Sequence, residues 1–135
     1  MQSILVVTLV LHVLSGVFWA GSTFTLARGG GVGAEKLLRP QMGAAVMAVT
    51  TGGVLWHIVH SGSPGKTEYI LAVGAAAAIV AAGVQGMGVG RAVRMLVRAD
   101  QAEGSRLQAR MAFAQRAAAV LLAVTVICMA AARYA

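Results

Sequence analysis

Three imidazoles are the side chains of this sequence whose type and spacing invite metal or redox chemistry: His12 in LHVLSGVFWAGSTF, and His57 and His60 in LWHIVH. Imidazole is the commonest protein ligand for metals. His12 sits inside an otherwise apolar run, where an ionisable side chain is read first as a functional residue. The acidic residues offer no competing chemistry. Glu35, Glu68, Asp100 and Glu103 fall in predicted loops or at predicted helix ends. No carboxylate pair and no nucleophile beside a base occurs in the apolar runs, which argues against hydrolytic catalysis.

The elements that must position these histidines are membrane helices. Of 135 residues, 59% are hydrophobic and 11% charged, and the mean hydropathy is +0.80, a balance too apolar for a soluble domain of this size. A spanning helix takes about 20 apolar residues. Four such runs predict an all-α, integral-membrane four-helix bundle forming a single domain, with helices at about 3–27, 40–60, 67–99 and 107–133. MQS lacks the basic n-region of a secretory signal, so the first run reads as a retained helix. The RGGGVG cluster ends it. Pro40 is expected to open the second helix, where a first-turn proline forfeits no hydrogen bond, and SGSPGKT reads as a turn-rich connection. Cys128, the single cysteine, excludes an intrachain disulfide.

The formal charge of +7 has its natural use in topology, because the arginines flank apolar spans, and nucleic acid is not an expected partner. Arg28, Lys36 and Arg39 surround the first connection. Arg91, Arg94, Arg98, Arg106 and Arg110 surround the third. By the positive-inside rule both termini face outward, to the periplasm of a bacterial inner membrane. Trp56, Tyr69 and Tyr134 then fall at the outer interface, as an aromatic belt requires. Arg116 lies 17 residues before Arg133, roughly 25 Å along the helix, and reads as a side chain snorkelling to the inner surface.

That topology puts all three histidines in the outer half of the membrane, and depth decides whether two of them meet. Counted from the inner charges, His12 is 16 residues from Arg28 and His57 is 18 from Arg39, a height difference of roughly 3 Å. Counted from the outer ends of the runs, Ile4 and Val59, the difference is roughly 9 Å. The first count lets both ligate one iron. Gly16 lies four residues deeper than His12 and Gly53 four deeper than His57, so each imidazole stands above a glycine on its own helix face, leaving room for a porphyrin plane. Trp19 shares the His12–Gly16 face and is too deep for the inner belt; it is expected to pack in the bundle or beside a bound ring. His60 reads as a helix end or as a second ligand. These residues point to haem b held by His12 and His57, since facing helices of a bundle can supply two axial ligands. The alternative is copper held by His12, His57 and His60, with Cys128 or Met129 as soft donors.

The third helix has a pattern of its own. Gly74, Ala78, Ala82, Gly86 and Gly90 recur every fourth residue, a small-residue stripe that lets helix backbones approach. Packing within the bundle, a homo-oligomer interface and a slot for a flat ligand are its three uses. Gln85 lies beside the stripe and is expected to reach another helix by a hydrogen bond.

LHVLSGVFWAG has the form Leu-His, six residues, Trp, one residue, Gly. This resembles the first-helix pattern of the copper-resistance D type of membrane protein. It is also similar to the opening helix of the bacterial membrane-bound protoporphyrinogen oxidases, which are associated with haem b. The resemblance rests on His12, Trp19 and Gly21 and covers about a dozen residues. STFTLARGG stands where the oxidases carry a Leu-Pro-Arg segment, and both families are usually longer. The resemblance thus implies a related haem-binding bundle more readily than the same enzyme. The expected function is a cytochrome-like protein in electron transfer or a redox step near the outer face, working with a redox partner. The alternatives are a copper-handling protein and a noncatalytic accessory subunit of a larger membrane complex.

Overall fold

The computed structural model is all-helical and describes residues 1–60 and 62–135. Helix α1 runs Gln2–Arg28 and α2 Ala34–Val59. Helix α3, Lys66–Val84, passes through a π-helical turn, Gln85–Val89, into α4, Gly90–Leu96, as one rod; α5 spans Gln101–Ala132. Four of these stretches are long and apolar enough to cross a membrane: Gln2–Arg28, Ala34–Val59, Lys66–Leu96 and Gln101–Ala132. The connection SGSPGKT includes Ser61, which lies outside the described residues.

Successive spans are antiparallel. Ring and hydroxyl contacts join His12 to Ala48 and Thr23 to Gln41, while Gly74 meets Thr125 and Gly88 meets Ala114. An even number of crossings puts both termini at one end. Arg28, Pro40, Leu96 and Gln101 lie at the other.

Helix α2 begins at Ala34, six residues before the expected start at Pro40. Ala-Glu-Lys-Leu-Leu-Arg is a run of strong helix formers, and Glu35 in the first turn suits the positive end of the helix dipole. The proline ring therefore sits within the helix and forfeits one backbone bond, to the Lys36 carbonyl. The turn before it is made by glycines in the left-handed region: Gly30 (φ 67°), Gly31 (φ 77°) and Gly33 (φ 85°). Gly31 donates its N–H to Leu26 O at 2.8 Å, closing α1. Gln108 of α5 donates to Gly30 O at 3.3 Å, tying the turn to the opposite helix. At the α4–α5 turn the Asp100 carboxylate accepts the Glu103 N–H at 2.8 Å, a side-chain N-cap for α5.

Two apolar clusters fill the interior. Trp19, Ala45, Ala48, Ala78, Ala81, Ala118 and Leu122 pack at mid-depth. Leu26, Ala34, Val89, Ala92, Leu107, Met111 and Ala114 pack at the basic end. Alanine dominates because lipid is as apolar as the interior, so helix association gains from close backbone approach and not from leaving water. The α3 stripe serves this packing. A Cβ on Gly74 would lie 2.9 Å from Cys128 Cβ, Gly86 meets Met42 Sδ, and Gly90 meets Leu38 Cδ2. Arg116 is exposed and its Nε donates to Ala27 O at 3.4 Å. Its head thus turns toward the basic end, where a cation also complements the C-terminus of α1.

Gly31 and Gly30 make a paired test of the first turn. A Cβ on Gly31 would lie 2.9 Å from the Ala112 backbone nitrogen, whereas one on Gly30 would meet nothing within 4 Å. Gly30→Ala should cost about 1 kcal/mol of left-handed strain. Gly31→Ala should cost about 2–4 kcal/mol, because overpacking adds to that strain. Thermal unfolding in detergent reads the difference; equal losses would show that α5 does not seat against Gly31.

Candidate functional site

Polar side chains from all four spans meet at the centre of the bundle. The Trp19 indole Nε1–H donates to Gln85 Oε1 at 2.6 Å. The Gln85 amide in turn donates to Thr23 Oγ1 and to Gln115 Oε1, both at 2.9 Å. Gln115 Nε2 donates to Gln41 Oε1 at 3.4 Å. Gln41 Nε2 closes the ring by donating to Ser22 Oγ at 3.1 Å and Thr23 Oγ1 at 3.3 Å. Thr23 hands its own hydroxyl proton to Trp19 O at 2.7 Å. Gln41, Gln85, Gln115 and Thr23 are fully buried.

Local sequence places Gln85 there. Glycines at 86, 88 and 90 permit the widened π turn, in which Gly90 N–H reaches back five residues to Gln85 O. Gly88 allows α5 to close in, since a Cβ on it would lie 3.0 Å from Ala114 Cβ. Every polar atom of the ring has a partner, the only arrangement in which such groups are not costly in an apolar interior.

His12 lies nearer the termini, on the seam between α1 and α2. Its Nδ1 is 2.9 Å from Ala48 O and 3.2 Å from Thr51 Oγ1. A carbonyl oxygen only accepts, so Nδ1 carries the proton, and in the neutral ring Nε2 keeps a lone pair. Among the described residues the one buried side-chain nitrogen or oxygen without a partner is His60 Nδ1. His12 Nε2, which makes no hydrogen bond, therefore reaches the bundle surface. The glycine facing this ring is Gly52, where a Cβ would lie 3.0 Å from His12 Cε1. Both Gly16 and Gly53 border open space.

The histidines do not converge. His57 is exposed in the last turn of α2. Counted from Gly52, which touches His12, it is roughly 7.5 Å further along the helix and about 140° round it, so its separation from His12 follows the larger of the two depth counts. His60 lies beyond it, with Nε2 3.8 Å from Glu68 Oε1 and its ring 5.3 Å from that of Trp56. Among the described residues no three His, Cys, Asp or Glu side chains come together as a metal-ligand group. Cys128 packs at the Gly74 contact, and Trp19 belongs to the glutamine ring.

The ring was only partly visible in sequence. Gln85 stands out beside the small-residue stripe, whereas Gln41, Gln115, Ser22 and Thr23 carry no pattern that marks them. The available signal was a glutamine within each of three apolar runs, Gln41, Gln85 and Gln115. Comparison with protein families, with curated proteins and with solved structures finds no match.

Removing the Gln85 carboxamide should orphan the Trp19 indole and the Gln115 oxygen together. Gln85→Ala is expected to cost about 2–4 kcal/mol, combining buried unsatisfied groups with a cavity. Trp19→Phe, which orphans one acceptor and keeps most of the ring volume, should cost about 1–2 kcal/mol. Denaturant unfolding in micelles checks the order; a Gln85→Ala variant as stable as wild type would mean the ring is not made.

Proposed function

We propose that the chain is a small haem b-binding membrane protein, cytochrome-like, with His12 supplying one axial ligand. The observation that carries this reading is the His12 hydrogen bond to Ala48 O at 2.9 Å. Imidazoles that ligate metals characteristically donate their other ring N–H to a backbone carbonyl, which fixes the tautomer and orients the free nitrogen. The open space at Gly16 and the surface access of Nε2 fit a flat ring lying against α1. The donor set fits one axial bond from this chain. Haem, when bound, supplies one-electron redox chemistry. The chain's own groups hold the ligand: Ala48 O and Thr51 Oγ1 fix the imidazole, and Gly52 leaves it space.

The resemblance of LHVLSGVFWAG to the first helix of haem-associated membrane oxidases and copper-resistance D type proteins supports the same residue. We place the termini on the periplasmic side of a bacterial inner membrane, because nine of the eleven Lys and Arg residues gather at the other end. His12 then lies in the outer half, suited to electron exchange with a partner there. A second reading, a noncatalytic accessory subunit, is favoured by the filled interior around Trp19 and Leu122.

The optical spectrum separates these readings. Purified protein should show a Soret band that is lost in His12→Ala and kept in His57→Ala and His60→Ala. A protein that stays colourless after incubation with hemin would reject the haem reading and leave the accessory one; stoichiometric copper in that colourless protein would instead revive the copper alternative.

A further inference from the structure

The basic end of the bundle carries a charge pattern that the haem reading does not use. Nine of the eleven Lys and Arg residues lie there, with three of the four acidic ones. Arg28, Lys36, Arg39, Arg91, Arg110 and Arg116 are all exposed. Among the described residues none of these cations forms an ion pair; the closest approach of a basic to an acidic side chain is that of His60 Nε2 to Glu68 Oε1, 3.8 Å, at the opposite end. The nearest acidic group in sequence to the α4–α5 arginines, Asp100, is engaged as the N-cap of α5.

Helix contacts fix the heights of these side chains. Arg116 reaches Ala27 O, one residue from Arg28. Gly88 against Ala114 sets Arg91 and Arg110 at similar heights, within roughly 10 Å of Arg116 along the axis. Lys36 and Arg39 follow from the antiparallel pairing of α1 with α2. The six cations therefore form a band around all spans, where the apolar runs end. That height belongs to the headgroup layer, which is roughly 5–8 Å thick on each side of the hydrocarbon, and long basic side chains can span it. Arg94, Arg98 and Arg106 continue outward from the band: Arg106 lines one open cleft with Arg110, Asp100 and Glu103, and Arg94 and Arg98 line a second with Glu103.

We propose that this band is a binding surface for anionic phospholipid headgroups, with the guanidinium groups of Arg28, Arg91 and Arg110 gripping lipid phosphate. Guanidinium matches phosphate by paired N–H donation. Among the described residues neither Glu35 nor Glu103 pairs with these cations, which leaves the guanidinium groups free to pair with lipid phosphate. The occupant is lipid and not a soluble polyanion, because the six cations are exposed on all four spans at the height where the apolar runs end.

The test uses the full-length protein in neutral detergent, titrated with phosphatidylglycerol, phosphatidylcholine or inorganic phosphate, with bound lipid counted by native mass spectrometry. Wild type should retain phosphatidylglycerol over phosphatidylcholine, and the preference should weaken with salt. The triple variant Arg28→Gln, Arg91→Gln, Arg110→Gln should lose about 100-fold in apparent affinity, at about 1 kcal/mol per cation. The outer triple variant Arg94→Gln, Arg98→Gln, Arg106→Gln should keep most of it, and helical content by circular dichroism must match wild type in both. Equal retention of the two lipids by wild type would overturn the proposal. So would loss confined to the outer variant, which would assign the charge to a soluble polyanionic partner, or phosphate competing as well as the lipid.

Discussion

One carboxamide ties the four spans together. Gln85 accepts from α1 through Trp19, and donates to α1 through Thr23 and to α5 through Gln115; Gln115 then passes the ring to Gln41 of α2. In a lipid environment this matters more than apolar contact, because side chains leaving lipid for the interior gain no hydrophobic free energy. Interhelical hydrogen bonds in membrane proteins average about 0.6 kcal/mol, so the six bonds of the ring contribute roughly 4 kcal/mol. The larger effect is on specificity. Turning α3 by one residue would swing Gln85 about 100° away and strand a buried indole and two glutamines.

Much of the remaining structure serves that meeting point. The π turn aims Gln85 inward, and its glycines let α5 come close. Ala45, Ala48, Ala78, Ala81 and Ala118 bring the backbones together above the ring. The glycine turn after α1, seated against Ala112, brings α2 back beside α1 so that Gln41 reaches Ser22 and Thr23. His12 depends on the same register: Ala48 lies seven residues beyond Gln41 on α2, and its carbonyl meets the imidazole only when the two helices are phased as the ring phases them.

The all-helical fold with four helices long and apolar enough to cross a membrane was legible because such runs announce themselves by length and hydropathy. Helix α5, however, begins at Gln101, six residues before the expected 107, because the Asp100 side chain caps it there. The start of α2 was not legible either, because a proline is tolerated early in a helix whose preceding residues favour helix strongly. The site was less legible. Periodicity placed His12, Gly16 and Trp19 on one face, but two residues on that face serve different partners: His12 binds Ala48 O, and Trp19 turns to Gln85. The matching of Gly53 with Gly16 failed for a rotational reason. Adjacent residues on a helix differ by about 100°, and it is Gly52 that faces the imidazole, which leaves His57 on another face. Glutamines at Gln41 and Gln115 carry no spacing motif, and their convergence depends on inter-helix phase, which a single sequence does not encode locally.

The indole resonances of the two tryptophans test the ring most directly. Trp19 is 2% exposed and donates to Gln85, whereas Trp56 is 36% exposed near the end of α2. In an NMR spectrum of the protein in micelles, the Trp19 indole proton should exchange with solvent far more slowly than that of Trp56. Gln85→Leu should shift the Trp19 signal strongly and leave Trp56 in place. An unmoved Trp19 signal in Gln85→Leu would contradict the account.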